Sequence, residues 1–235
     1  MVLLRVKRLP REENSKDYDE FLYSVPNTTN VGDATDTVTT LQNLRLRLKW
    51  TAAACKELTK DSVAEDQRHV LIGPAEEGER YLSLQRCTEF KQTSSIEEVE
   101  TLCETLKGAV MMLFPEQCSG TDCQQRLVAV IDGEEAGETE RALAHRILSV
   151  IDDKAATEDT LTGPTSMWWC NKPLPRDTDF IKAVGKNEKT TMVIKLTKDG
   201  GSGDRRQDAV GDDGVLVQEA GGAQETRRGR RHHAR

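Results

Sequence analysis

The sequence predicts an α+β protein made of two small β-grasp-like units, each ordered strand, strand, helix, strand, and followed by a disordered C-terminal tail. Short apolar runs bounded by breakers alternate with segments whose apolar residues recur every three or four positions, as expected for strands and amphipathic helices. The last residues are rich in glycine and arginine, so they bury too little surface to offset their ordering entropy. The predicted domains are therefore 1–90 and 94–197, with 198–235 as the tail.

The first unit is predicted to open with a β-hairpin and continue into a long helix. Residues 2–6 and 21–25 are apolar runs, and Pro26 ends the second. Between residues 35 and 59, apolar side chains at steps of three and four share one helix face. They are Val38, Leu41, Leu44, Leu48, Ala52, Cys55 and Leu58. The opposite side is expected to be basic, through Arg45, Arg47, Lys49, Lys56 and Lys60. A further strand is predicted at 81–84.

The second unit is predicted to begin with a capped helix. Ser95 and Glu98 form a capping-box pattern, and the helix is expected to end near Gly108. The remaining elements are predicted as strands at 109–114, 127–131 and 191–196, and a helix at 137–156.

Composition and charge exclude several classes of protein. The chain has 235 residues and a formal net charge of −7, which argues against nucleic-acid binding by bulk electrostatics. Arg5 interrupts the first apolar run, which is too short for a secretory signal, and no run of about 18 apolar residues is present to cross a membrane. The sequence thus predicts a cytoplasmic protein whose six cysteines are thiols.

No residue pattern predicts a catalytic, cofactor or metal site. Gly185-Lys186 lacks the glycine and the serine or threonine of a phosphate-binding loop. Cys118 and Cys123 have no second Cys/His pair with the spacing of a structural zinc site. No histidine has a recognisable nucleophile partner in the sequence. We therefore predict that the protein is not an enzyme, and we keep a small enzyme of unrecognised type as an alternative.

A tryptophan pair gives the predicted partner-binding surface. Trp168-Trp169 lies between prolines, on what is expected to be a short helix or loop, and one indole is expected to face outward. Tryptophan is enriched at binding hot spots. The full predicted set is Trp168, Trp169, Gly185, Lys186, Asn187, Glu188 and Lys189. Trp169→Ala, or Lys186→Glu with Lys189→Glu, is expected to abolish partner binding. In the structural alternative, both tryptophans cap the core and the glycine segment is a turn.

Four segments together resemble one known family. Residues 1–8, 106–115 (Leu-Lys-Gly-Ala-Val-Met-Met-Leu-Phe-Pro), 168–169 and 184–190 (Val-Gly-Lys-Asn-Glu-Lys-Thr) occur in the order found in the cilia- and flagella-associated protein 298 family, also called Kurly. The resemblance covers the first eight residues and, in patches, about 95–196. The segment from 14 to 80 and the tail depart from the family.

The resemblance implies a non-catalytic protein without a cofactor that is needed for ciliary motility. It implies a role in outer dynein arm assembly in the cytoplasm, with dynein-arm assembly factors as partners and with association to the cilium, flagellum or basal body. The alternative is a structural, microtubule-associated component of the axoneme. The basic side of the helix at 35–59 and the arginine-rich tail would suit acidic tubulin as a partner. Neither nucleic acid nor membrane is expected as a partner.

Overall fold

Strands from both ends of the described chain form a single mixed sheet. The computed structural model describes residues 1–8, 19–118, 120, 122–133, 136–152, 160–185 and 189–198. The strands are β1 Val2–Arg8, β2 Asp19–Val25, β3 Thr165–Trp169, β4 Lys172–Pro173 and β5 Thr191–Lys198. Their order in the sheet is β2-β1-β5-β3-β4, and the central pair, β1 with β5, is parallel while the other pairs are antiparallel.

Most helices lie between the two halves of this sheet along the chain. Helix α1 spans Val31–Asp61 and is followed by a 3-10 turn, Glu65–Gln67. The others are α2 His69–Leu82, α3 Leu84–Thr88, α4 Ile96–Leu113, α5 Pro115–Cys118, α6 Cys123–Asp132, α7 Glu138–Ile151 and α8 Phe180–Val184. Helices α2 to α7 therefore form a helical insertion between α1 and β3.

The predicted α+β class is confirmed, but the described residues form one β-grasp-like unit where two were predicted. The arrangement is that of a β-grasp fold: a hairpin is followed by a helix, and the first and last strands form a central parallel pair. Both predicted domains contribute strands to this sheet. The prediction of two separate sheets is wrong because the expected strands at 109–114 and 127–131 are helical, in α4 and α6. The predicted tail lies outside the described residues apart from Lys198.

Helix α1 is the central element of the core. Asn30 caps it by accepting a hydrogen bond from the Gly32 amide at 2.8 Å. The predicted apolar face is confirmed, because its residues are buried, Leu44 partly so. The helix is also buried on a second side, since Leu46 and Thr51 are almost fully covered. It contacts β3 as well as α2, α4 and α7, so it packs between the sheet and the inserted helices.

The expected basic side of α1 is solvent-exposed only in part, because Lys49 and Lys60 are exposed whereas Arg45 is buried. Arg45 is only 2% exposed and binds Asp19 through Nη2 at 2.6 Å and Nε at 3.2 Å. Its Nη1 donates to Ser94 Oγ at 3.1 Å, and its guanidinium lies 4.8 Å from the ring centroid of Phe21. Arg45 thus joins α1 to the start of β2 and to the segment that leads into α4.

Three segments predicted as strands are helical in the structure. The prediction failed because an apolar run does not by itself distinguish the helical period from the strand period. Ser95 caps α4 as predicted, accepting from the Glu98 amide at 3.2 Å. The helix continues past Gly108 because the spacing of its buried residues continues to Val110. Residues 81–84 belong to the end of α2 and the start of α3. The helix predicted at 137–156 is confirmed as α7, which ends at Ile151.

Candidate functional site

A tight hairpin carries the tryptophan pair. Trp169 pairs with Lys172, which leaves Cys170 and Asn171 as a two-residue loop between β3 and β4. Both loop residues have positive φ, 49° and 60°, as a type I′ turn requires at its two central positions. Asparagine tolerates this conformation, whereas cysteine rarely adopts it. The tryptophans are thus on a strand, and the prediction of a short helix or loop is wrong.

The two indoles lie on opposite faces of the sheet, because successive strand residues point to opposite sides. Trp169 packs against the hydrophobic core on the same face as Met167. Trp168 lies on the other face, opposite Lys195 of β5, and its Nε1 donates to Thr197 Oγ1 at 2.8 Å. The outward indole is therefore Trp168. Trp169→Ala would remove core packing, so it is a test of folding.

The second predicted segment follows α8. This helix ends at Val184 and is followed by Gly185, whose positive φ of 71° suits glycine. Lys186, Asn187 and Glu188 lie outside the described residues. Lys189 precedes Thr190, whose carbonyl accepts from the Leu3 amide at 2.9 Å and so leads the chain into β5 beside β1.

The register of the sheet separates Lys189 from Trp168. Strand β5 begins at Thr191, and Lys195 is the β5 residue opposite Trp168. Four residues of strand span about 13 Å. In the structure, the outward indole of Trp168 therefore lies beside Lys195. Lys189, which was predicted to lie beside the indole, is beyond the other end of β5.

The outward indole belongs to a larger surface, which we call the open sheet face. We define it by six of the outward side chains on the three neighbouring strands β1, β5 and β3: Leu3, Arg5, Lys7, Trp168, Val193 and Lys195. Val193 lies opposite Arg5 in the parallel pair and is 43% exposed. The apolar–polar alternation of β1 and β5 is visible in the sequence, but the neighbours become apparent only with the strand order.

The segment after the hairpin is fixed to the start of α1. The amides of Val31 and Gly32 donate to the carbonyls of Thr178 at 2.8 Å and Arg176 at 3.0 Å. These contacts satisfy amide groups that the first helical turn leaves without partners. Arg176 also donates to the Thr165 carbonyl at 2.7 Å. The hairpin is thus held against the central helix as well as in the sheet.

Two of the buried cysteines, Cys55 and Cys118, have the properties of unreactive thiols. Burial raises the pKa of Cys55 to about 12. Burial, with the neighbouring Cys123 as a smaller cause, raises the pKa of Cys118 to about 12 as well. Because the thiolate is the nucleophile and the metal ligand, a raised pKa disfavours both roles. Within the ranges that the structure describes, no group of three or more His, Cys, Asp or Glu residues is arranged to hold a metal ion.

A small cleft lies between α5, α6 and α7. It has a volume of about 230 Å³ and is lined by apolar residues, including Leu127 and Leu143, with Glu116, Arg126 and Glu140. Small-molecule pockets usually measure about 300–1,000 Å³, so this cleft falls below that range. Among the described residues, no helix combines the length and apolar character needed to cross a membrane.

Three of the five basic residues of α1 form ion pairs within the protein. Arg45 is buried, Lys56 binds Glu79 at 2.5 Å, and Lys60 binds Glu57 at 2.6 Å. Each of these cations has an acidic partner in the described chain. Tubulin binding through α1 stays a prediction, and the burial of Arg45 removes one cation from the surface that it would use.

Comparison with known proteins confirms the predicted resemblance. The family model described as cilia- and flagella-associated protein 298 matches residues 165–215. This match includes the whole predicted partner-binding set, from Trp168 to Lys189. Its described part comprises β3, β4, α8 and β5, and β5 lies beside β1 in the sheet.

Curated relatives carry the same name at modest identity. Cilia- and flagella-associated protein 298 from Danio rerio is 28% identical over 119 residues, which cover 51% of this chain and 36% of that protein. The Rattus norvegicus protein is 23% identical over 258 residues, covering 89% and 81%. The Mus musculus protein is 24% identical over 182 residues, covering 72% and 57%. In the first and third comparisons, the matched part is less than two thirds of the relative. No solved structure gives a significant match.

Proposed function

We propose that this chain is a cilium- or flagellum-associated protein that acts by binding other proteins in the cytoplasm during assembly of outer dynein arms. The observation that carries the proposal is the family match over 165–215. That segment forms the tryptophan hairpin and β5, which supply half of the open sheet face. A family-like segment that also presents an outward indole and an exposed valine suits a protein-binding role.

The chemistry of the described residues agrees with a binding role. The thiols of Cys55, Cys87 and Cys118 have pKa values raised by burial, which makes them poor nucleophiles. The small cleft has little room for a substrate. Binding to partners through the sheet requires neither a nucleophile nor a cofactor.

Deletion of the gene in a flagellated cell tests the proposal. We expect flagella of normal number that beat poorly, with outer dynein arms missing in cross-sections by electron microscopy. Re-expression of the full chain should restore both arms and beating. Complete arms and normal beating in the deletion strain would show that the proposal is wrong.

Fractionation distinguishes an assembly factor from an axonemal component. After detergent extraction, an assembly factor leaves with the soluble fraction, whereas a structural component stays with the axoneme. We expect the chain in the soluble fraction, because Arg45 on the predicted basic side of α1 is buried and bound to Asp19, which leaves fewer cations for tubulin. Retention on salt-washed axonemes would favour the structural role.

A further inference from the structure

We propose that the open sheet face binds an acidic amphipathic helix of a partner protein. This inference deepens the proposed function and rests on its claim that the chain acts by binding proteins. It goes beyond that claim by naming the surface and the chemistry of the partner.

The open sheet face has apolar residues between cations. Val193 is 43% exposed, a large fraction for a valine on a central strand. Trp168 is its diagonal neighbour on β3, within reach of a long side chain. Leu3 of β1 is partly buried beside the start of β5. An aromatic and aliphatic centre with a charged rim is the usual composition of a protein-binding surface.

The charge of the face is opposite to that of the protein. The formal net charge of the chain is −7, yet the open sheet face carries three cations, Arg5, Lys7 and Lys195, and the carboxylate on the same side of the sheet is Glu20 of β2, opposite Lys7. The carboxylate that pairs with Arg5 is Glu20, which is 3% exposed and also accepts from Cys87 Sγ at 3.5 Å. A partner that docks on this face would therefore contact the cations more readily than the buried Glu20 carboxylate. Complementary charge then favours an acidic segment and disfavours basic ones.

The edges of the sheet favour docking on the face over addition of a strand. At one edge, β4 has two residues and one is Pro173, which cannot donate to a neighbouring strand. At the other edge, the Ser94 amide already donates to the Leu22 carbonyl at 2.8 Å, and Thr93 forms a bridge with Leu22. An incoming strand would meet an obstacle at both edges. An amphipathic helix needs only side-chain contacts, with its apolar stripe over Val193 and its carboxylates over the cations.

Site-specific photo-crosslinking in cells that are building flagella tests the proposal. The full chain is expressed with the photoreactive residue p-benzoylphenylalanine in place of Val193, and the peptide that becomes linked is sequenced by mass spectrometry. The matched control carries the same residue in place of Val128 on α6, which is also a valine and also 43% exposed. Thermal melts of both proteins confirm that each is folded.

The expected result has three parts. The Val193 position links to a peptide with apolar residues at helical spacing and an excess of Asp and Glu, and the Val128 position does not link to that peptide. Adding Lys195→Glu lowers the yield of this adduct at least tenfold. Adding Lys182→Glu, which changes the net charge equally but lies on α8, lowers it less than twofold.

Several outcomes would overturn the proposal. These are an absent adduct, the same adduct from both positions, a linked peptide without the acidic amphipathic pattern, a peptide from another copy of this chain, and a yield unaffected by Lys195→Glu. The test is independent of the deletion experiment. The expected adduct in a strain whose deletion leaves dynein arms intact would support the docking surface while refuting the proposed role in arm assembly.

Discussion

Replacing Arg45 by alanine is expected to destabilise the protein strongly, although the sequence places this residue on the predicted basic side of α1. The arginine is 2% exposed and makes three hydrogen bonds, two to Asp19 and one to Ser94. Removing it leaves the Asp19 carboxylate, whose side chain is 16% exposed, without its cation. It also leaves the buried Ser94 hydroxyl without its donor.

The magnitude follows from these contacts. Removing one partner of a buried ion pair costs about 3–5 kcal/mol, because the remaining charge is uncompensated. Asp19 keeps some contact with solvent, so we expect the lower end, about 3 kcal/mol. For a folded unit of this size, each kcal/mol lowers Tm by about 2–4 °C, which gives a loss of about 6–12 °C.

Urea denaturation followed by far-UV circular dichroism measures this loss. Lys60→Ala is the matched control on the same helix, because Lys60 is 63% exposed and its pair with Glu57 is at the surface. It should change the free energy of unfolding by less than about 1 kcal/mol. In a double-mutant cycle, Arg45→Met combined with Asp19→Asn should cost less than the sum of the single changes. A loss below 1 kcal/mol for Arg45→Ala would refute the assignment of Arg45 as a buried connection between α1 and β2.

Three further predictions concern local geometry. Cys170→Gly should raise Tm by a few degrees, since it removes the strain of a non-glycine residue at a φ of 49°; an unchanged or lower Tm would contradict the turn assignment. Gly32→Ala should destabilise by about 1–3 kcal/mol in urea denaturation, because its Cβ would lie 2.9 Å from the Arg176 carbonyl oxygen, whereas Gly73→Ala has open space and should be neutral or stabilising. Of the six cysteines, Cys170 alone is exposed, so a thiol reagent should label one thiol rapidly in native protein and six after unfolding; rapid labelling of Cys55 would be incompatible with its burial.

Raised thiol pKa values also give a pH dependence. Burial raises the pKa of Cys55 from 9.0 to about 12. The unfolded chain therefore releases this proton at lower pH than the folded protein, and stability present below pH 9 is lost as the pH rises toward 12. Cys55→Ala should flatten the fall in urea midpoint between these values; an identical fall in the variant would contradict the prediction.

The elements that sequence reasoning identified were those with an unambiguous period. The hairpin of β1 and β2 has short apolar runs, and α1 repeats its apolar residues every three or four positions. Continuous apolar runs gave the errors. In 109–114, Val110 is fully buried while Met112 is 72% exposed, so the run is one part of a helix surface, not a buried strand. The earlier buried positions Val99, Cys103 and Leu106 already carried the helical spacing into it.

The candidate site was only partly predictable for a different reason. The hairpin loop Cys170-Asn171 lacks the usual Asn-Gly pattern of a type I′ turn, so the strands on either side were not recognised. Because the strands were not recognised, the face of the sheet to which each tryptophan points could not be predicted. The neighbours of Trp168 depend on the strand order, which brings together β1 and β5 from opposite ends of the described chain. Local sequence contains no information on that pairing.

The parallel pairing of β1 with β5 affects how the protein folds during synthesis. Leu3 pairs with Thr191, so the centre of the sheet cannot close until nearly the whole described chain has left the ribosome. Until then, the apolar residues Val2, Leu4 and Val6 have only β2 beside them, and one edge of β1 is unpaired. Contacts between residues so far apart in sequence slow folding, because a long loop must close before they form. We therefore expect the nascent chain to be exposed to aggregation for longer than a chain built from local contacts.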